Sequence, residues 1–147
     1  MALDFMITQT AAQSQLTALE TSLDAGTAAV IVGYDDDAAI FANVDASSAG
    51  STTLFTLTCS ASVFTSKTDG NPGAVGTFAA ITADSSADAT DILQFFRILT
   101  QAGGTVVCQG TAGTATSDMI VNTTSITSGS TVDDTGTNTI TQPEGGT

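Results

Sequence analysis

Carboxylates are the one plentiful ionisable group in this sequence: fifteen Asp and Glu accompany one lysine, Lys67, one arginine, Arg97, and no histidine. Chemistry built from these residues has to be oxygen chemistry. Two clusters have suggestive spacing. Asp35, Asp36 and Asp37 follow Gly33-Tyr34 in an expected loop, where consecutive acids could gather around Ca²⁺, a hard ion that takes roughly six to eight oxygens. Asp84, Ser86, Asp88 and Thr90 follow the odd-position spacing of a calcium loop, with Asp91 directly after them. The match to an EF-hand fails at Ala89, where that loop requires glycine, and at Phe95, where it requires a bidentate glutamate. Charge runs are usually solvated faces, so both clusters read first as structural acids and only second as calcium candidates.

Other reaction classes lack their parts. Without histidine there is no Ser-His or Cys-His nucleophile, and the commonest metal ligand is missing. No glycine-rich phosphate loop occurs, and two cations are too few for phosphoryl transfer. A paired-carboxylate glycosidase needs an aromatic-lined sugar cleft, but the chain has no Trp and one Tyr. The expectation is a protein that is not an enzyme and carries no cofactor. Cys59 and Cys108, in the apolar contexts LFTLTC and TVVCQG, read as two buried thiols, with a disulfide between them as the alternative.

Arg97 is the most informative single charge. It lies between Phe96 and Ile98 and, if side chains alternate, faces away from Phe96. An arginine so placed lays its stem on the sheet and pairs across strands. Asp118 is the expected partner, giving a structural pair Arg97–Asp118; the alternative role is an interface arginine.

The elements that must hold these residues are mostly strands. Only 12% of residues are charged while 41% are hydrophobic, so the polar surface is built from Thr, Ser, Asn and Gln, and Thr with Val favours a pleated backbone. Residues 6–24 are the one helical candidate, with Leu16, Leu19 and Leu23 at helical spacing, Thr8 or Thr10 as cap and Ala25-Gly26 as stop. Strands follow at 27–32 and 52–59, the latter with Phe55, Leu57 and Cys59 expected on the core face. Residues 67–76 read as a loop and 77–82 as a strand. Next comes a hairpin, ILQFFRILT–QAGG–TVVCQG, in which QAGG supplies the turn. DMIVN and a final strand near 131–141 complete the set.

Short strands with regular turn signals and no intervening helices predict an all-β protein: an antiparallel β-sandwich, jelly-roll-like, with one N-terminal helix. The organisation expected is 1–26 as helix or arm, 27–141 as the sandwich and 142–147 as a flexible tail.

The formal charge of −13 argues against nucleic acid and anionic membranes as partners, since both are bound through Lys and Arg. The opening MALDFMITQT has neither the basic nor the apolar region of a signal peptide, so assembly in a cytoplasm is expected.

The segments AITADSSADAT, FFRI, GGTVVCQGTAGT and IVNTTSITSG, spread over residues 76–143, resemble small virion structural proteins of tailed bacteriophages. They are similar to the jelly-roll cement or decoration proteins of capsids, while other proteins of this type belong to necks, tails or fibres. The resemblance implies a subunit on the outer surface of the major capsid protein lattice, bridging capsomers and stabilising the shell. Separately, the edge strands of an isolated sandwich need protection, so a homo-oligomer, dimer or trimer, is expected.

Overall fold

The computed structural model describes residues 6–35, 41–70 and 73–143. It is a mostly β, sandwich-like fold with one helix. The helix α1 (Gln9–Leu23) begins where Thr8 Oγ1 accepts the Ala11 amide, a side-chain cap for one of the free first-turn donors. It ends at Asp24, whose own amide still bonds the Glu20 carbonyl. Gly26, the expected stop, serves another purpose: a Cβ there would lie 2.4 Å from the Thr100 carbonyl, so glycine lets the chain pass under the hairpin.

The strands are β1 (Val30–Tyr34), β2 (Thr53–Cys59), β3 (Phe64–Asp69), β4 (Gly73–Phe78), β5 (Ile81–Thr82), β6 (Asp91–Ile92), β7 (Phe95–Leu99), β8 (Val106–Gly113), β9 (Met119–Ile120), β10 (Ser125–Ile126) and β11 (Thr139–Pro143). They form a six-stranded sheet, β5-β2-β1-β7-β8-β9, a three-stranded sheet, β11-β4-β3, and a small ladder of β10 with β6. Pairing is antiparallel except at β8–β9, where Ala112 and Gly113 run parallel to Met119 and Ile120. No crossover helix is needed there, because the Asp118 carboxylate accepts both the amide and the hydroxyl of Thr111 at 2.8 Å and curls the chain back on itself.

The segment read as a loop, residues 67–76, is a correction. It contains the end of β3 and most of β4, in register from Ser66 opposite Thr77 to Asp69 opposite Ala74. The Asp69-Gly70 turn signal lies at the end of β3, Asn71-Pro72 lie outside the described residues, and the strands reach further than Gly and Pro content suggests.

The core lies between the two larger sheets. Ile31, Phe55, Leu57, Phe96 and Ile98 of the large sheet meet Phe64, Phe78 and Ile140 of the small one. Each large apolar side chain so buried contributes about 1.5–3 kcal/mol. Gly33 is needed here, because a Cβ would stand 2.3 Å from the Phe55 ring. The helix closes the end of this space: Leu23 enters the core, while Ala12 and Leu16 pack on Ala74 and Ile140.

Candidate functional site

The outer face of the six-stranded sheet carries Val30, Val32, Tyr34, Phe95 and Leu99, with Phe41 of the following loop packed on them. Tyr34 and Phe95 stack with ring centroids 5.2 Å apart. Arg97 projects from the centre of this face and is only 1% exposed. Its Nε donates to Gln109 Oε1 at 3.1 Å, one terminal nitrogen donates to the Ala46 carbonyl at 2.7 Å, and the other to the Asn43 carbonyl at 3.2 Å. Gln109 Nε2 donates in turn to the Phe41 carbonyl at 2.5 Å. The guanidinium also lies 5.9 Å from the Phe95 ring centre. A rigid fork of five donors suits this task, since it fixes several backbone carbonyls of one loop at once.

The expected pair Arg97–Asp118 does not form. Arg97 and Gln109 are register partners on the outer face. Asp118 lies on the inner side, where a Cβ at Gly110 would meet both it and the Phe96 ring, and its carboxylate is engaged by Thr111. The sequence hid the true partner because a β-bulge between Ile98 and Leu99 shifts the register by one. Counting back from the QAGG turn without it puts Cys108 opposite Arg97. The turn itself is as expected, with Gly103 at φ +68° and the Gly104 amide bonded to the Gln101 carbonyl at 2.8 Å.

Two of the calcium candidates, Asp84 and Asp35, have carboxylates bound to backbone amides. Asp84 Oδ2 accepts the Thr56 amide at 2.9 Å and Oδ1 accepts the Ser86 amide at 2.9 Å, while its backbone bridges to Val132. Asp88 presents an exposed side chain, and its amide donates to the Leu54 carbonyl at 2.8 Å. Asp35 Oδ1 accepts the Thr52 amide at 2.7 Å; Asp36 and Asp37 lie outside the described residues. Among the described residues, no three Asp, Glu, Cys or His side chains converge as a metal-holding group.

A role common to Asp84 and Asp118 emerges that the sequence did not show. Each carboxylate accepts an outward-pointing amide of a strand at the limit of its ladder, Thr56 of β2 and Thr111 of β8. They thereby cap edges that would otherwise offer free donors. An Asp followed by small polar residues, as in Asp84-Ser85-Ser86, is the local signal for such a turn.

Both cysteines are free thiols. Burial pushes Cys59 up to about 12, with Cys108, Asp24 and Asp134 adding repulsion, and burial alone pushes Cys108 up to about 11. A thiol protonated at neutral pH is a poor nucleophile.

Beside Cys108, a cleft of about 240 Å³ opens between β11 and the large sheet, floored by Ile31, Phe96, Ile98 and Met119 and rimmed by Asn138 and Asp118. Among the described residues no helix is long and apolar enough to cross a membrane. No family model matches the chain, and neither the curated proteins nor the solved structures contain a match.

Proposed function

We propose that the chain is a non-enzymatic virion protein, a capsid cement or decoration subunit that binds the outer surface of the major capsid protein lattice of a tailed bacteriophage and stabilises the shell. The observation carrying this reading is the fate of the two cations. Lys67 Nζ is bonded to Glu20, and Arg97 is buried beneath its loop. Most of the charged and polar groups that the described surface turns outward are therefore carboxylates and hydroxyls, with Asp45, Asp69, Asp88 and Asp133 exposed beside Thr68, Thr139 and Thr141.

Such a surface is steered toward basic partners and repels nucleic acid and anionic lipid. A protein whose task is adhesion to a repeating lattice needs shape and many modest contacts, because repetition multiplies them. The fold, pinned by buried hydrogen bonds, supplies a fixed shape for that purpose. The resemblance of the segments from AITADSSADAT to IVNTTSITSG to small virion proteins supports the same reading.

Co-sedimentation tests it. The purified chain, mixed with heads of the phage that encodes it after endogenous copies have been stripped, should pellet with them and saturate at a fixed number of copies per capsomer. Recovery of the chain at the top of the gradient at every concentration contradicts the reading.

A further inference from the structure

Strand β3 presents an edge that no described strand covers: it pairs with β4 and with nothing else. The other edges are two-residue strands, β5, β9, β6 and β10, or belong to β11. The β2 edge is covered by β5 and the Asp84 carboxylate, and the β8 edge by β9 and the Asp118 carboxylate. The outer edge of β11 turns into the cleft, which Thr139 and Thr141 line.

The hydrogen-bond phase shows which β3 groups are free. The Phe78 amide bonds the Asn138 carbonyl on the β11 side at 3.0 Å, and the next amide, Ala79, bonds the Val63 carbonyl on the β3 side at 2.8 Å. Alternation along an antiparallel ladder then points the backbone groups of Thr77 and Val75 toward β3, where they meet Ser66 and Thr68. The backbone groups of Lys67 and Asp69 therefore point away from the sheet.

We infer that β3 is a homodimer interface, on which a second copy pairs its own β3 antiparallel about a two-fold axis through Thr68. In this register Lys67 of one copy faces Asp69 of the other, twice, and each such pair exchanges both backbone hydrogen bonds. Centring the axis on Lys67 sets lysine against lysine, and centring it on Asp69 sets carboxylate against carboxylate, so charge selects Thr68. An isologous contact of this kind needs only one chain and closes after two copies. Lys67, held by Glu20, stays in place as the cation in an acidic molecule that would otherwise repel its own kind. The inference is independent of the particle reading, since it concerns the chain with itself.

The Thr68 pair would be of the close, non-hydrogen-bonded kind, with Cα atoms about 4.5 Å apart, inside the range a disulfide spans. The experiment oxidises full-length Thr68→Cys and, as an off-axis control, Ser66→Cys, both at exposed positions, with Cys59 and Cys108 replaced by alanine in each. Non-reducing gels should show covalent dimer from Thr68→Cys and several-fold less from Ser66→Cys. Sedimentation velocity of the unmodified chain should show a monomer–dimer equilibrium, and Asp69→Lys, at an exposed site that leaves folding intact by circular dichroism, should raise its dissociation constant about ten-fold. A chain that stays monomeric up to millimolar concentration overturns the inference. So does equal cross-linking by the two cysteine variants, or a dimer that Asp69→Lys leaves unchanged.

Discussion

The inner face of the six-stranded sheet is closed by apolar contact, with Ile31, Phe55, Leu57 and Ile98 packed against the second sheet, whereas on the outer face a smaller apolar cluster surrounds hydrogen bonds that converge on Arg97. Apolar packing is non-directional and tolerates adjustment, while a buried cation among carbonyls depends on each partner being present. The inner face therefore sets how stable the fold is. The outer face sets where the loop containing Phe41, Asn43 and Ala46 lies. A sheet with both faces covered also explains why β1 and β7 are buried at every position.

The comparison breaks most readily at its inner side. Phe55→Ala should cost about 3–5 kcal/mol, the usual loss for a fully buried ring, and denaturant unfolding should show it as a lower midpoint with hydrogen exchange raised throughout. On the outer face, Arg97→Met should cost about 3 kcal/mol, since it strands the Asn43 and Ala46 carbonyls and Gln109. Its exchange should rise selectively in residues 41–51. A variant as stable as the parent, with that loop still protected, would mean Arg97 does not organise the outer face.

Edge capping supplies the next effect. Asp84→Ala removes the acceptor of two backbone amides and should cost about 2 kcal/mol, while Asp84→Asn, which keeps one carbonyl oxygen, should lose about half as much. Added calcium should leave both midpoints unmoved if the carboxylate serves only the backbone.

The thiols sharpen the inner side through pH. Both are held protonated when folded, with pKa values raised to about 12 and about 11 from 9.0. Below pH 9 neither state releases these protons, so their contribution is complete; above it the unfolded chain ionises first and stability falls as pH climbs toward the folded values. The unfolding midpoint should drop between pH 9 and 11, and Cys59→Ala should flatten the drop. The smallest effect belongs to the partly exposed pair: Lys67→Ala, breaking its contact with Glu20, should shift stability by less than about 1 kcal/mol.

The β architecture and the helix were legible because they are local. Threonine-rich alternation, the Leu16/Leu19/Leu23 stripe and the QAGG turn each declare an element within a few residues. The environment of Arg97 was legible only in part. Its burial follows from its apolar neighbours, but its partners follow from a bulge two residues from the turn and from a loop some fifty residues upstream. The structural role expected first for Asp84 holds, but its partners, like those of Asp118, were not legible for a related reason. Spacing suggests what acids could bind together, whereas their actual partners, the amides of Thr56 and Thr111, are backbone groups with no signature in side-chain identity. The β3–β4 hairpin was missed because Gly73 and Gly76 read as turn residues although both lie within β4.

Electron cryomicroscopy of the phage particles to which the proposed function assigns the chain tests that proposal most directly. The account predicts density for this sandwich at regular positions on the outer capsid lattice, seated against a basic surface of the major capsid protein. Density confined to the neck, tail or fibres, or particles without the chain, would contradict it.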